Sequence, residues 1–129
     1  MPYRSLVARE LASFLKAVAH PARICLIEEL RNGERDVNSL QTVLQKSHST
    51  VSQHLMVLRA HRLVVERRDG RHVIYRLRRP ELAEWLVDAM DLLPETTAEV
   101  KRLQTAIRKS RTAWRSRKRT EKPANGGSK

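Results

Sequence analysis

The sequence predicts a mainly helical domain with one small antiparallel β-hairpin. Apolar residues recur at helical spacing in five segments, and two β-rich segments flank Asp69-Gly70. A chain of 129 residues is long enough for one domain with a modest core. We expect this domain over residues 1–93, followed by a helical extension over 94–119 and a tail over 120–129.

The first three helices are predicted from apolar spacing and from the residues at their ends. Residues 4–19 form the first helix, and His20-Pro21 starts the second, because proline suits the first helical position. The second helix is expected to bury Ile24 and to stop at Gly33. Asp36 is a suitable N-cap for a short third helix over 37–45.

The most informative segment is 47–58, which has a polar face and an apolar face. Val51, Leu55 and Leu58 fall at i, i+4 and i+7 and predict a buried stripe. The opposite side carries small polar residues that can bond to base edges: Ser49, Thr50, Ser52, Gln53 and His54. This pattern favours a fourth helix that reads DNA, and an ordinary surface helix is the alternative.

A hairpin and a fifth helix follow. Strands are expected at 63–68 and 71–77, joined by an Asp69-Gly70 turn with positive φ at both positions. The fifth helix is predicted over 80–93, from Pro80 to the residue before Pro94. Its expected buried residues are Leu82, Trp85, Leu86, Ala89 and Leu93.

The carboxyl-terminal region is strongly basic. Residues 94–129 hold 11 Lys and Arg against 3 Asp and Glu, which is +8 of the net charge of +12. Thr96–Glu99 is a capping box that predicts a sixth helix, with Val100, Leu103, Ile107 and Trp114 on its apolar side. Three roles stay open: lengthening a dimer, adding non-specific DNA affinity, or binding a membrane surface or acidic partner. The tail over 120–129 is expected to be disordered.

Composition restricts the class of partner. The positive charge predicts a polyanionic partner, although charge alone does not separate DNA from RNA or an anionic membrane. An aromatic content of 4% argues against a binder that stacks single-stranded bases. Cys25 is the single cysteine, so an internal disulfide is excluded and a reducing compartment is favoured. Without a signal or membrane-spanning pattern, a cytoplasmic, nucleoid-associated protein that binds no membrane is expected.

Three helices, a polar-faced helix and a charged hairpin form the pattern of a winged helix-turn-helix. Three segments, Phe14–Arg23, Ser49–Leu55 and Arg67–Tyr75, resemble the ArsR/SmtB family of bacterial transcriptional regulators in order and spacing. The resemblance covers about residues 6–92. It implies a homodimer paired through the first and fifth helices, with the fourth helix in the major groove of double-stranded DNA and the hairpin, or wing, over the backbone.

The candidate DNA-binding residues lie on the fourth helix and the wing. Gln53 can bond adenine with two hydrogen bonds, and Ser49 and Thr50 are adaptable donors and acceptors. Ser47 is expected to cap the helix near a phosphate, and His54 can contact a base, contact a phosphate or hold the turn. Wing arginines are expected to contact phosphates, with a solvated face as the alternative. The full set is Ser47, His48, Ser49, Thr50, Ser52, Gln53, His54, Arg67, Arg68, Arg71 and Arg76.

This chain departs from the family's pattern at the residues of the sensing sites and in the turn after the fourth helix. Metal-sensing members carry Cys-Val-Cys where this chain has Asp36-Val37-Asn38, and soft metals need thiolate ligands. The fifth helix contains no histidine, and persulfide sensors use two cysteines where this chain has only Cys25. The family's glycine after the fourth helix is replaced, so Arg62 either adopts a positive φ at a cost of about 1 kcal/mol or the turn is built differently.

Other polar residues have structural explanations. Cys25 is expected to be buried and inert, with a redox role as the alternative. His20 is expected to cap or pack, and no two histidines lie at i, i+3 or i+4. Four carboxylates on the fifth helix predict a solvated face rather than a hard-cation site: Glu81, Glu84, Asp88 and Asp91.

The sequence therefore predicts a homodimeric repressor that binds a pseudo-palindromic operator. The alternative is a sequence-neutral architectural protein driven by the basic extension. An enzyme is disfavoured, because neither a nucleophile–base pair nor a phosphate-binding loop is visible. We expect no metal or cofactor, and the effector stays unknown: an organic molecule, an unassigned metal, or none.

Overall fold

The computed structural model describes residues 2–94, 101–103, 105–110 and 112–113. The chain divides into two compact units, Met1–Leu82 and Ala83–Lys129. The helices are α1 (Pro2–Val18), α2 (Pro21–Glu29), α3 (Val37–Leu44), α4 (His48–Ala60) and α5 (Glu81–Ala89), and the strands are β1 (Arg35–Asp36), β2 (Val64–Asp69) and β3 (His72–Leu77). Short 3-10 turns extend α2 over Leu30–Asn32 and α5 over Met90–Leu92. The predicted mainly helical fold with a small antiparallel wing is confirmed.

The core of the first unit lies between α2, α3, α4 and the sheet. Leu26 and Ile27 of α2, Leu40 of α3, and the α4 stripe of Val51, Leu55 and Leu58 are all fully buried. Complete burial of a side chain of this size contributes about 1.5–3 kcal/mol. The predicted stripe of α4 is confirmed, whereas Ile24 is only half-buried.

Side chains cap α2 and α3 at the residues that the sequence indicated. His20 Nδ1 accepts a hydrogen bond of 3.0 Å from the backbone N–H of Ala22, and Pro21 follows as the first residue of α2. Asp36 Oδ1 accepts one of 2.9 Å from the N–H of Asn38 at the start of α3. Each bond satisfies an otherwise unpaired N–H of a first helical turn.

Two non-glycine residues with positive φ end α3 and α4. Gln45 has a φ of +54° and Arg62 has a φ of +59°. After α4, Arg62 N–H donates to Arg59 C=O and Leu63 N–H donates to Leu58 C=O, both at 2.9 Å. This is a Schellman motif, so the backbone keeps a conformation that favours glycine although arginine occupies the position. Positive φ at Arg62 was one of the two expected outcomes.

The wing is part of a three-stranded antiparallel sheet in the order β1-β3-β2. The short strand β1 was not expected, since two residues carry too little pattern to be recognised. The predicted Asp69-Gly70 loop is wrong by one residue: Asp69 pairs with His72, so Gly70 and Arg71 form the turn. Among the turn residues only Gly70 has a positive φ, of +62°. Glycine at the first central position is typical of a type II′ turn rather than type I′.

The predicted buried face of α5 is largely wrong. Its buried residues are Ala83, Leu86 and Val87, at i, i+3 and i+4. Trp85 and Leu93 are exposed, and Leu82 and Ala89 are half-buried. Both sets fit the helical period because α5 is apolar on more than one side, so spacing alone does not choose between them.

Helix α1 also leaves apolar residues uncovered. Its last turn is buried at Ala17 and Val18, whereas Val7, Leu11 and Leu15, at i, i+4 and i+8, are exposed. A regular apolar stripe that stays in water is typical of a surface that binds another protein.

Cys25 is exposed, so the expectation of a buried cysteine is wrong. Partial desolvation raises the pKa of its thiol, and Glu28 and Glu29 raise it further. The thiol is therefore protonated at neutral pH, which makes it a poor nucleophile.

The extension is helical over 101–103, 105–110 and 112–113. The capping box Thr96–Glu99, Val100, Trp114 and the tail over 120–129 lie outside the described residues, and the predictions for them stay predictions.

Candidate nucleic-acid interface

Helix α4 presents its polar residues on the side opposite its buried stripe. His48, Ser49 and Gln53 are exposed, while Thr50, Ser52 and His54 are half-buried. The buried stripe fixes the rotation of the helix, so the polar side must face outward. The structure thus brings the predicted reading residues together on one helix surface, which we call the polar face of α4: His48, Ser49, Thr50, Ser52 and Gln53.

Hydroxyl groups fix the first turn of α4. Ser47 Oγ accepts a hydrogen bond of 3.1 Å from the N–H of Thr50, and Ser47 and Thr50 hydroxyls bond each other at 2.9 Å. His48 Nδ1 and Ser52 Oγ lie 3.4 Å apart one turn later. Ser47 is therefore the N-cap, as predicted. Ser49 and Gln53 project from this ordered turn with their polar groups in solvent.

His54 lies apart from the other predicted reading residues. Its ring packs on the His20 ring with 4.3 Å between centroids and 43° between planes. Partial burial lowers the pKa of His54, and nearby His20, Arg23 and Lys46 lower it further. His54 is thus uncharged at neutral pH and turned toward the start of α2. This placement favours a phosphate contact or a structural role over a base contact.

The four predicted wing arginines do not form one cluster. In an antiparallel pair, alternate residues face opposite sides, so Arg67 and Arg76 share one face and Arg68 lies on the other. Arg71 occupies the turn. Arg68, Arg71 and Arg76 are exposed.

Arg67 is held by a carboxylate. Its Nε and Nη2 donate to the two oxygens of Glu34 at 2.8 and 2.9 Å, and Asp69 lies 4.0 Å away. The paired hydrogen bond with Arg67 holds the pKa of Glu34 below its usual value and raises the pKa of Arg67. Arg67 therefore anchors the wing to the segment before β1, which makes it a weaker phosphate candidate than Arg68 or Arg71.

A half-buried carboxylate joins α4 to the wing. Glu66 Oε2 accepts hydrogen bonds from Arg59 at 3.2 Å and from the Tyr75 hydroxyl at 2.7 Å. Burial and the bond to Glu66 raise the pKa of Tyr75 to about 12. Arg59 lies in the last turn of α4, so this network sets the wing relative to the helix. The apolar–polar alternation of β2 and β3 gives no signal for this network in the sequence.

A second link joins α3 to the wing. Asp36, the N-cap of α3, bonds with its other oxygen to His72 at the start of β3. The backbone N–H of Asn38 holds the pKa of Asp36 below its usual value, and His72 adds to this effect. Asp36 stands where metal-sensing members have a cysteine, and here it serves as cap and strand link.

The residues that the structure describes hold neither a grouped set of metal ligands nor a membrane-spanning helix. Over those residues, no three His, Cys, Asp or Glu side chains are grouped so that they could hold a metal ion. Within the same ranges, no helix has the length and apolarity needed to cross a bilayer.

Comparison with known proteins identifies related sequences. The family model described as bacterial regulatory protein, arsR family, matches residues 20–65. The HTH-type transcriptional repressor SmtB of Mycobacterium tuberculosis is 41% identical over 76 residues, which cover 59% of this chain and 56% of that repressor. The chain thus spans just over half of that relative's length. The HTH-type transcriptional regulator NmtR of the same organism is 38% identical over 89 residues, covering 69% of this chain and 74% of NmtR.

A solved structure shares the architecture. The homodimeric winged helix-turn-helix DNA-binding domain of Mb0332 from Mycobacterium bovis, a possible ArsR-family transcriptional regulator, superimposes with a TM-score of 0.61 at 26% identity. The match covers 69% of this chain and 82% of that one. These relatives are named as transcriptional regulators, the class that the sequence predicts for this chain.

Proposed function

The chain belongs to the ArsR family of bacterial regulatory proteins, and from that premise we propose that it is a transcriptional repressor. It binds a pseudo-palindromic operator in double-stranded DNA as a homodimer. The half-sites lie about one helical turn apart, ~34–36 Å, so that two copies of α4 enter successive major grooves.

One observation carries this proposal: Ser49 and Gln53, on the polar face of α4, are exposed while the other side of the helix is packed in the core. Val51, Leu55 and Leu58 are fully buried, so the helix cannot rotate away from its outward orientation. Glu66 fixes the wing at the far end of the same helix. Such a rigid, polar, helix-sized surface is suited to the major groove.

The residues divide into base readers and backbone contacts. Gln53 and Ser49 are the base readers, because they are exposed and project from the capped first turn. Ser47, His48, Thr50 and Ser52 hydrogen-bond within that turn and contact phosphate or bases beside it. Arg68, Arg71 and Arg76 contact the backbone, where they fix register without reading sequence.

The homodimer forms through α1 and α5. Leu6, Leu11 and Leu15 of α1 are exposed, as is Trp85 of α5 at 44%. Leaving these side chains in water is unfavourable, and burial against a second copy removes them from it. The homodimeric domain from Mycobacterium bovis supports dimer formation, whereas the choice of α1 and α5 depends on their exposed apolar side chains.

The basic extension strengthens binding without selecting sequence. Lys101, Arg102, Arg108 and Lys109 are exposed on described helical residues. Their charge attracts any duplex, and Leu103 and Ile107 are available to lengthen the dimer contact. A repressor of this composition acts on the chromosome, so cytoplasmic, nucleoid-associated localisation forms part of the proposal.

Selection of duplex DNA from a random pool tests this function. Purified full-length protein at about 0.15 M salt is expected to enrich one motif with inverted half-sites about one turn apart. Enrichment without a motif would instead support the sequence-neutral architectural alternative, because charge alone holds every duplex equally. Recovery of no DNA at all would refute both.

A further inference from the structure

Four basic side chains lie near one another where α2 begins beside α4. His20 caps α2, Arg23 lies in its first turn, Lys46 precedes the cap of α4, and His54 lies on α4 itself. The rings of His20 and His54 are in contact, and the charges of Arg23 and Lys46 add to partial burial in lowering the pKa of His54. We call these side chains the basic cluster: His20, Arg23, Lys46 and His54.

The two permanently charged members of the basic cluster are not engaged in ion pairs within the described residues. Across those residues, neither Arg23 nor Lys46 forms an ion pair, in contrast to Arg35, Arg59 and Arg67. The Nε of Arg23 is buried and has no hydrogen-bond partner in the same part of the chain. A ligand cannot reach the buried Nε, whereas the terminal nitrogens of the half-buried Arg23 can donate to an anion that arrives at the surface.

The hydrogen bonds of His20 define which ring nitrogen it offers. Its Nδ1 accepts from the N–H of Ala22, so Nδ1 is unprotonated and the proton of the neutral ring lies on Nε2. His20 therefore combines a capping acceptor with a second nitrogen that can donate to an oxygen anion.

We infer that the basic cluster is a phosphate-binding site that holds one backbone phosphate of duplex DNA in each half-site. This inference rests on the proposed function, in which α4 lies in the major groove. His54 follows Gln53 on α4, so the same helix would bring the basic cluster close to the DNA backbone. His20 Nε2, the Arg23 guanidinium and the Lys46 ammonium supply donors, and the N-terminus of α2 adds its dipole. The sequence alone did not assign these three residues to DNA binding, because they come together only when α2 packs beside α4.

Phosphate binding at this site is coupled to proton uptake. Without an anion, partial burial and the neighbouring His20, Arg23 and Lys46 disfavour a charge on His54. A phosphate opposes this effect, because its negative charge favours imidazolium. Operator binding is therefore expected to tighten as the pH falls from 7.5 to 5.5, by at most about tenfold per pH unit at each site.

Three variants separate a phosphate contact from a structural role. His20→Asn keeps a capping oxygen at the place of Nδ1 but removes the Nε2 donor. Arg23→Gln removes a fixed charge, and His54→Gln removes the titrating group. Lys16→Gln, which removes an exposed charge of α1, is the control. Affinity for the duplex selected by the wild type is measured by fluorescence anisotropy against salt concentration and pH.

The phosphate site predicts specific changes in these variants. Arg23→Gln lowers the magnitude of the slope of log affinity against log salt by about 0.9 for each phosphate that the variant no longer neutralises. His54→Gln flattens the pH dependence, and Lys16→Gln changes neither property. Unchanged salt slopes in both His20→Asn and Arg23→Gln would overturn the proposal.

A scan of the duplex with single methylphosphonates locates the bound phosphate. Replacing it by this neutral group should weaken wild-type binding roughly tenfold, the size expected of a hydrogen bond to a charged group. The same replacement should leave His20→Asn and Arg23→Gln almost unaffected. If each variant is weakened as much as the wild type at every position, the cluster does not bind phosphate. A wild type that selects no motif would instead contradict the repressor function, so the two failures are distinguishable.

Discussion

The polar face of α4 carries hydroxyl, amide and imidazole groups, whereas the basic extension carries the cationic side chains of Lys and Arg. On α4, a buried stripe, a serine cap and the Glu66 network fix the position of each polar group. The described part of the extension carries exposed charges on a helix whose apolar residue Leu103 is also exposed. Sequence is read by groups held at defined positions, whereas affinity needs only charge. The proposed function therefore places specificity on α4 and general attraction on the extension.

The largest expected effect comes from breaking the support of α4. Leu55→Ala removes a fully buried side chain and should lower the free energy of unfolding by about 2–5 kcal/mol. Urea unfolding followed by circular dichroism measures this change. Met56→Ala is the matched control, because its neighbouring side chain is 68% exposed and should change stability little. Equal destabilisation of the two variants would contradict the assigned rotation of the helix.

Removing the charge of the extension should weaken binding without changing sequence choice. The variant K101Q/R102Q/R108Q/K109Q is expected to lower the salt slope by about 0.9 for each phosphate that is no longer neutralised. The ratio of affinities for selected and scrambled duplexes should stay near the wild-type ratio. A collapse of this ratio would transfer specificity to the extension.

Acid should weaken the interactions of Glu34 with Arg67 and of Asp36 with His72. The pKa values of Asp36 and Glu34 are lower in the folded chain than their usual values of 3.8 and 4.5. Their stabilisation is therefore complete above those usual values and is lost as the pH falls through the lowered ones. Urea midpoints measured from about pH 6 to about pH 2.5 should decline below roughly pH 4.5.

Asp36→Asn sharpens this test, since asparagine retains the cap but cannot gain the stabilisation of a carboxylate. Its decline with acid should be shallower than that of the wild type. An identical pH profile would show that Asp36 does not contribute through its charge.

The smallest expected effect concerns the turn after α4. Arg62→Gly removes the strain of a positive φ, about 1 kcal/mol, whereas the greater entropy of the unfolded chain with glycine costs only about 0.4–1 kcal/mol. The net change in urea midpoint should be small and favourable. Arg62→Ala retains a Cβ and should show no gain, so equal midpoints for the two variants would argue against strain at this residue.

Features encoded by neighbouring residues were predictable from the sequence. The Ser47 cap, the α4 stripe and the paired strands each depend on a few adjacent positions. The one-residue error at Gly70 arose because glycine serves more than one turn type. The face of α5 was misjudged because two apolar sets share the same period.

Contacts between distant residues were not predictable. Glu34 and Arg67 are 33 residues apart, and Asp36 and His72 are 36 apart. The pairing of His20 with His54 likewise depends on how α2 packs on α4. These contacts decide which basic groups are paired with carboxylates and which are available to DNA, so the division of roles required the structure.

The most direct test of the account measures how Gln53→Ala binds every single-base variant of the selected operator. If α4 reads bases, this variant loses discrimination of about 1–3 kcal/mol at one base pair in each half-site and keeps it elsewhere. Arg71→Ala, the matched wing variant, should weaken all sequences alike. Uniform weakening by Gln53→Ala, with discrimination unchanged at every base pair, would contradict the account.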